Sequence, residues 1–368
     1  MKLIHCADLH LDSKMTANLS KEKAKIRKNE LLYTFKRMVS YAGDNDIDGI
    51  IIAGDLYDTK NISAAARNTV IESILNHPEI DFYYLKGNHD GDSLLSAFNE
   101  MPSNLKLFYN KWTYYEIPDS DIVITGIEID ENNSSNMYDT LSLNPNKFNI
   151  VVLHGQETVH KTKEKNIKIS LKGLRNKNID YLALGHIHEY KEEALDSRGI
   201  YCYSGCLEGR GFDECGEHGF VVLDIDREEK SFKRSFINIA DRILYHIEVD
   251  ISECITTSDI SEKIEDRLSE LKIDEKNMIK ISLTGSVDIE CDKNIDLLTK
   301  QFENEYEYFF FKIKDESSFR VDYKRFELDE SLKGEFVRTV MADENISQED
   351  KATIIRYGIQ SLAGEELE

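Results

Sequence analysis

Cysteine is scarce in this chain, and positive charge is in deficit. Its 368 residues include six cysteines at irregular positions, and 46 Lys and Arg face 69 Asp and Glu, for a formal charge of -23. Thiols so few and so unevenly spaced exclude the disulfide framework of a small secreted protein and point to reduced cysteines. The acidic balance excludes a general polyanion binder. No apolar run approaches the ~20 residues that a membrane span needs, and the opening MKLIHCADLH is too short and too polar for a signal peptide. A cytoplasmic protein without membrane attachment is the expectation.

What is present is a globular composition, with 40% apolar and 10% aromatic residues, in a chain long enough for a substantial core and two or three domains. The charge is uneven. Residues 238–368 net -15, which leaves -8 for residues 1–237. Two segments run against the trend: residues 14–37 carry eight basic groups against Glu22 and Glu30, and residues 161–177 carry seven against Glu164. A charge run of this kind is first of all a solvated face.

From residue 1 to about 237 one grammar repeats. A short apolar run, at 2–5, 49–53, 82–85, 150–153 and 181–184, is followed by a turn rich in Gly, Asp, Asn or His. Runs of Ile, Val, Leu and Tyr without alternation read as strands buried on both faces. The longer amphipathic stretches between them, such as 21–43 and 63–76, read as helices. This is an α/β layout. A second part opens near Ile239 and holds strands at 244–249 and 278–283, a helix at 259–271 and a third apolar run at 308–313, which predicts a small α+β module. From about Leu328 the apolar residues recur at helical spacing, and two short helices joined at 344–347 are expected. The expected divisions are 1–238, 239–327 and 328–368.

Folds of this layout bind ligands beyond the carboxyl ends of their strands. After the five runs come Asp8-x-His10, Gly54-Asp55-Leu56-Tyr57-Asp58, Gly87-Asn88-His89-Asp90, His154-Gly155 and Gly185-His186-Ile187-His188. Each alone is a polar turn or a helix cap. Five in register with five strand ends are not chance. Carboxylates, a carboxamide and several imidazoles at one sheet edge can hold two divalent cations with one Asp bridging them.

The order D-x-H, GD-x-x-D, GNHD, HG, GHIH resembles the calcineurin-like metallophosphoesterases. Within them, GDLYD, GNHD and DYLALGHIH look like the SbcD-type DNA repair exonucleases and their YhaO-like bacterial cousins. The resemblance implies a four-layer α/β/β/α metallophosphoesterase sandwich over residues 1–238. A small α+β capping or DNA-binding domain and a C-terminal helical tail would follow. It implies that Asp8, His10, Asp55 and His188 bind one metal, and that Asp55, Asn88, His154 and His186 bind the other. His89, with Asp90 beside it, would be the catalytic group that supports the transition state or protonates the leaving oxygen. Two Mn²⁺ are the implied cofactors, with iron and zinc as alternatives. The implied reaction is hydroxide attack on a DNA phosphodiester; a cyclic-nucleotide or other small phosphoester substrate is the alternative, as is a weakly active scaffold on DNA. Where many nucleolytic relatives place a His, this chain has Asp58. GDLYDTK and GNHDGD lack the arginines of protein Ser/Thr phosphatases, which disfavours a phosphoprotein substrate.

The basic segments then acquire a role as rim contacts to DNA phosphates, through Lys163, Lys165 and Lys168. Arg210, in the glycine-rich stretch 205–219, is a further candidate substrate contact. Cys202, Cys206, Cys215 and His218 match no zinc-site spacing, so a surface loop is the preferred reading there. The helical pattern of 328–368 reads either as intramolecular core or, through the resemblance, as a docking site for an SbcC-type coiled-coil ATPase. Relatives also form homodimers, for which 63–76 with 93–101 is the candidate surface.

Overall fold

A computed structural model describes all residues except 16–18, 93, 99, 158–167, 228, 230, 290, 321–322 and 364–368. The chain divides into two compact units, Met1–Ile243 and Leu244–Glu368.

The first unit is built on two six-stranded sheets. One runs in the order Ser231–Asn238, Gly219–Asp226, Lys2–Cys6, Gly49–Ala53, Asp81–Leu85, Leu105–Leu107. Its four strands from Lys2–Cys6 onward are parallel. The other runs Lys191–Ala194, Ile200–Tyr203, Tyr181–Gly185, Phe148–His154, Ile122–Gly126, Thr113–Glu116, again with a parallel centre. Gly49–Ala53, Phe148–His154 and Tyr181–Gly185 are buried at every residue. This is why their sequences show no alternation: both faces meet apolar neighbours.

Three apolar layers follow from this. Leu3, Ile51, Ala53 and Leu85 of the first sheet meet Ile124, Ile150, Val152 and Ala183 of the second. On its other face the first sheet packs Ile4, Ile50, Ile52 and Phe82 against Leu31, Phe35, Met38, Val70 and Ile74. These belong to the helices Lys21–Asp44 and Ala64–Asn76. The outer face of the second sheet, with Val151, Leu153, Leu182 and Leu184, is covered by Met137, Leu174 and neighbouring loops. The result is a layered α/β/β/α sandwich whose fourth layer is thin, since its helices Met137–Thr140 and Leu171–Leu174 have only four residues each.

Both long helices start where a serine caps them. Ser20 accepts from the Lys23 N–H and Ser63 from the Ala66 N–H. The basic character of Lys21–Asp44 is partly turned inward: Arg27 is 1% exposed, Lys28 pairs with Asp12, and Arg37 pairs with Asp241. The stretch 93–101, expected with 63–76 as a dimer surface, contains a single 3-10 turn at Leu95–Ala97 among its described residues.

The unit boundary lies a few residues beyond the expected change at Ile239. The physical reason is ionic. Arg37 pairs with Asp241, and Arg242 pairs with Glu30 at 2.7 Å, so this segment is tied to the first helix.

In the second unit the strands Leu244–Asp250, Met278–Thr284 and Phe310–Asp315 are all parallel. Parallel neighbours need crossovers, and the helices Thr257–Leu271 and Ile295–Glu305 supply them. Their Ile260, Ile264, Leu268, Leu298 and Phe302 cover Ile247, Val249, Ile279, Ile281 and Ile313. The helices Leu332–Ala342 and Gln348–Ala363 form their own small core, with Val337, Val340, Ile355 and Ile359 against Ile289 and Phe326. No helix among the described residues is long and apolar enough to cross a membrane.

Candidate metal centre

The chemistry-bearing side chains stand at the carboxyl ends of parallel strands drawn from both sheets. Asp8 and His10 follow Lys2–Cys6, Asp55 follows Gly49–Ala53, and Asn88, His89 and Asp90 follow Asp81–Leu85. From the second sheet, His154 ends its strand, and His186 and His188 follow Tyr181–Gly185. The backbone bends sharply to aim them. Asp8, His10, Asp55 and His186 have φ of 52°, 43°, 51° and 102°, a region that side chains other than glycine occupy at a cost and that clusters at functional sites.

Two ligand sets result. Atoms of Asp8, His10 and His188 lie within 4.8 Å of one another, and so do atoms of Asp55, His154 and His186. His10, Asp58 and His89 meet the same criterion. Asp55 sits between the first two sets: its Oδ2 is 3.8 Å from His10 Nε2 and 3.4 Å from His154 Nε2. Asn88 Oδ1 stands 3.0 Å from His154 Nε2. Neighbouring ligands on a cation with bonds near 2.1 Å are about 3 Å apart, so these separations suit a pair of ions sharing Asp55.

The outer nitrogens orient the rings. His154 Nδ1–H donates to the Ala53 carbonyl at 2.9 Å, and His188 Nδ1–H donates to Glu214 Oε1 at 2.6 Å. Each bond leaves the Nε2 lone pair facing the site. With Asn88 Oδ1 turned to His154 Nε2, two acceptors meet at 3.0 Å, an arrangement that a shared metal ion would satisfy. Tight turns make the approach: a β-carbon at Gly54, where φ is 93°, would lie 2.2 Å from His154 Nδ1, and one at Gly87 would lie 2.2 Å from Asp55 Oδ1.

The electrostatics ask for a cation. Burial pushes Asp8 up to about 7, with Asp55 adding to the rise. Burial alone would also raise Asp55, but its contacts with His154, the His89 N–H and His10 hold it well below the carboxylate range. His154 would be lowered by burial, yet Asp55 and Asp8 drive it up to about 9. His186 is lowered to about 4 by burial and by His154. Divalent ions would supply the positive charge that here falls on His154. The donor set is oxygen and imidazole nitrogen, which suits Mn²⁺, Fe²⁺ or Zn²⁺.

His89 is exposed. Its N–H donates to Asp55 Oδ1 at 2.9 Å and its Nδ1–H to the Asp58 carbonyl at 2.8 Å, which leaves Nε2 as the outward nitrogen. Asp90, expected beside it as a catalytic residue, is placed differently. Its buried carboxylate accepts from the N–H groups of Leu56, Tyr57 and Gly87. It ties the two ligand loops together. Arg210, expected as a substrate contact, directs its guanidinium to Asp58 at 3.1 Å and to Glu214 at 2.9 Å. Lys168 opens the short strand Lys168–Ile169, while Lys163 and Lys165 lie outside the described residues. Cys202 is buried between the two sheets and Cys215 is exposed, whereas Cys206 Sγ and His218 Nδ1 meet at 3.3 Å. The four do not converge, and all six cysteines are free. Glu214 was not singled out in the sequence; a carboxylate four residues after Arg210 in a glycine-rich loop was the available signal.

The profile of the calcineurin-like phosphoesterases matches residues 1–190. The chain belongs to this family. Among curated relatives, the Bacillus subtilis metallophosphoesterase YhaO is 24% identical over 284 residues, 74% of this chain and 68% of that protein. The DNA double-strand break repair protein Mre11 of Sulfolobus acidocaldarius is 23% identical over 307 residues, 79% of this chain and 77% of its own. The SbcD component of the SbcCD nuclease of Staphylococcus epidermidis is 25% identical over 263 residues, 62% of this chain and 67% of its own. For a calcineurin-like phosphoesterase the two ligand sets joined by Asp55 are the candidate dinuclear metal site.

Proposed function

We propose that this phosphoesterase is a Mn²⁺-dependent DNA phosphodiesterase of the repair-nuclease type. The observation that carries the reading is the shared Asp55 carboxylate between two histidine-rich ligand sets. Two pockets are lined in part by residues of the site. One of about 320 Å³ is lined by Ser13, Lys14, Asp58 and Arg210 among others, and one of about 520 Å³ by Lys60, Lys86, Asp90 and Ser96 among others. The names of the relatives, a DNA double-strand break repair protein and a nuclease subunit, favour DNA as the substrate.

When bound, the two ions supply Lewis acidity and neutralise charge at the phosphate. Asp8, His10 and His188 would hold one ion, Asn88, His154 and His186 the other, and Asp55 would contribute to both. Asn88 stands at the mouth of the site to steady the phosphate. His89, held by its Nδ1–H on the Asp58 carbonyl, presents Nε2 to the leaving sugar oxygen and, as the imidazolium, gives up its Nε2 proton to that oxygen. Lys14 and Lys168 provide the sequence-independent phosphate contacts. The exposed Leu332, Tyr357 and Leu362 of the last two helices offer an apolar surface for a partner ATPase of the kind SbcD-type nucleases use.

The test is incubation of wild type and His89→Ala with Mn²⁺, end-labelled single- and double-stranded DNA, and bis-p-nitrophenyl phosphate. Wild type should cut DNA and the small diester, and His89→Ala should lose at least ~100-fold. Cleavage of the diester with every DNA left intact would replace this reading with a small-phosphoester one. No cleavage of anything would leave a scaffold.

A further inference from the structure

We infer that Glu214, Arg210 and Asp58 form an ionic clamp that positions the His10 and His188 imidazoles and sets the metal affinity of that half of the centre. The inference rests on the dinuclear reading of the site and adds the residues that tune one half of it.

The clamp is continuous. Glu214 Oε1 accepts from His188 Nδ1 at 2.6 Å and from Arg210 Nη2 at 2.9 Å. Glu214 Oε2 accepts from the Arg210 backbone N–H at 2.7 Å. Arg210 Nη1 reaches Asp58 Oδ1 at 3.1 Å, and the same oxygen is 3.3 Å from His10 Nδ1. Glu214 thus backs the His188 imidazole with a hydrogen bond, Asp58 faces the His10 imidazole as a charge 3.3 Å away, and one guanidinium holds both carboxylates in place. The side chains of Glu214, Arg210 and Asp58 are 8%, 19% and 23% exposed, so water screens these contacts little.

The loop that carries the clamp is itself anchored. The Gly209 carbonyl accepts from Arg27 Nη2 at 2.7 Å, and the Glu214 carbonyl contacts His218 Nε2 at 3.0 Å. The two halves of the centre differ in kind. His154 is steadied by a backbone carbonyl that a substitution cannot remove, whereas His188 and His10 depend on side chains from two loops. A carboxylate behind a ligand imidazole fixes its tautomer and raises its basicity, and its loss typically weakens metal binding ~10- to 100-fold.

The experiment titrates metal-stripped full-length protein with Mn²⁺ and reads free ion by its electron paramagnetic resonance signal. Wild type should take up two ions. Glu214→Ala should weaken one of them ~10- to 100-fold and leave the other as in wild type. Glu214→Gln, which keeps an acceptor for His188 Nδ1–H but loses the charge, should fall between. His186→Ala should weaken the opposite ion, and adding Glu214→Ala to His188→Ala should cost less at the ion of His10 and His188 than Glu214→Ala costs alone. Circular dichroism of the metal-free variants controls for folding, and Glu214→Gln carries the test if the alanine variant does not fold. Two affinities within twofold of wild type in the Glu214 variants, or a loss falling on the ion that His186→Ala weakens, overturns the clamp. Fewer than two ions in wild type would overturn the dinuclear reading itself.

Discussion

At Gly87 a single missing carbon makes room for the shared carboxylate. A β-carbon there would lie 2.2 Å from Asp55 Oδ1 and 2.4 Å from the Asp55 backbone nitrogen, so neither side chain nor loop can yield cheaply. Gly87→Ala should lower kcat/KM for bis-p-nitrophenyl phosphate by at least ~100-fold, the cost of misplacing a catalytic group by about an ångström. The metal-free protein should keep its far-ultraviolet circular dichroism. Unchanged turnover would show that Asp55 does not need its present position. The motif letters disclose Gly87 as a turn former and Asp90 as a carboxylate near the site. They do not disclose that Asp90 faces three backbone N–H groups, because that depends on how the loop after Gly49–Ala53 lies against the loop after Asp81–Leu85.

The helix Lys21–Asp44 shows what a charge pattern hides. In the sequence it is a basic amphipathic stretch open to phosphate binding. In the fold its Arg27 and Glu30 are buried within a network that includes Glu208 and Arg242. Burial alone would raise the Glu30 carboxyl, but Arg242 and Arg27 outweigh it and hold it below its ordinary value of 4.5. A depressed acid stabilises the fold above its unfolded pKa, and that contribution disappears as pH falls through the folded pKa. Glu30→Gln should therefore cost about 3 kcal/mol near neutrality, the scale for breaking a buried pair. Its deficit in urea midpoint should narrow as pH drops below 4.5. A deficit that is flat across that range would mean that the loss is one of packing rather than charge. The tail makes the same point for apolar residues. Helical spacing marks out Leu332, Val337, Val340, Ile355 and Ile359 alike, but only Val337, Val340, Ile355 and Ile359 are buried, and Leu332 is exposed.

On the scale of the molecule, the proposed metal centre and the small core of the tail belong to different units. All seven proposed ligands lie in Met1–Ile243, while Leu244–Glu368 has its own sheet and its own apolar clusters. Calorimetry of the Mn²⁺-loaded chain should show two transitions. Chelation should lower only the one assigned to Met1–Ile243, by about 10–20 °C if both ions are present at a hundredfold excess over their dissociation constants. Val337→Ala, which empties part of the tail core, should lower only the other. A single transition moved by both treatments would show that the two units unfold together.

The sequence by itself determined the strand runs, the ligand types and their order after each strand. These are local properties, set by apolar periodicity and by which atoms can bind a hard cation. It also determined the family, since the spacing of five motifs is a linear signal. Only the tertiary structure decided that Asp55 stands between the two ligand sets, that Asp90 joins loops, and that Arg210 and Glu214 stand behind His188. Those relations join residues up to 178 positions apart, as between His10 and His188. They depend on how two sheets bring their strand ends together. The roles of Asp58 and Glu214 were hidden for the same reason: a charged side chain in a loop reads identically whether it faces water or the back of a ligand imidazole.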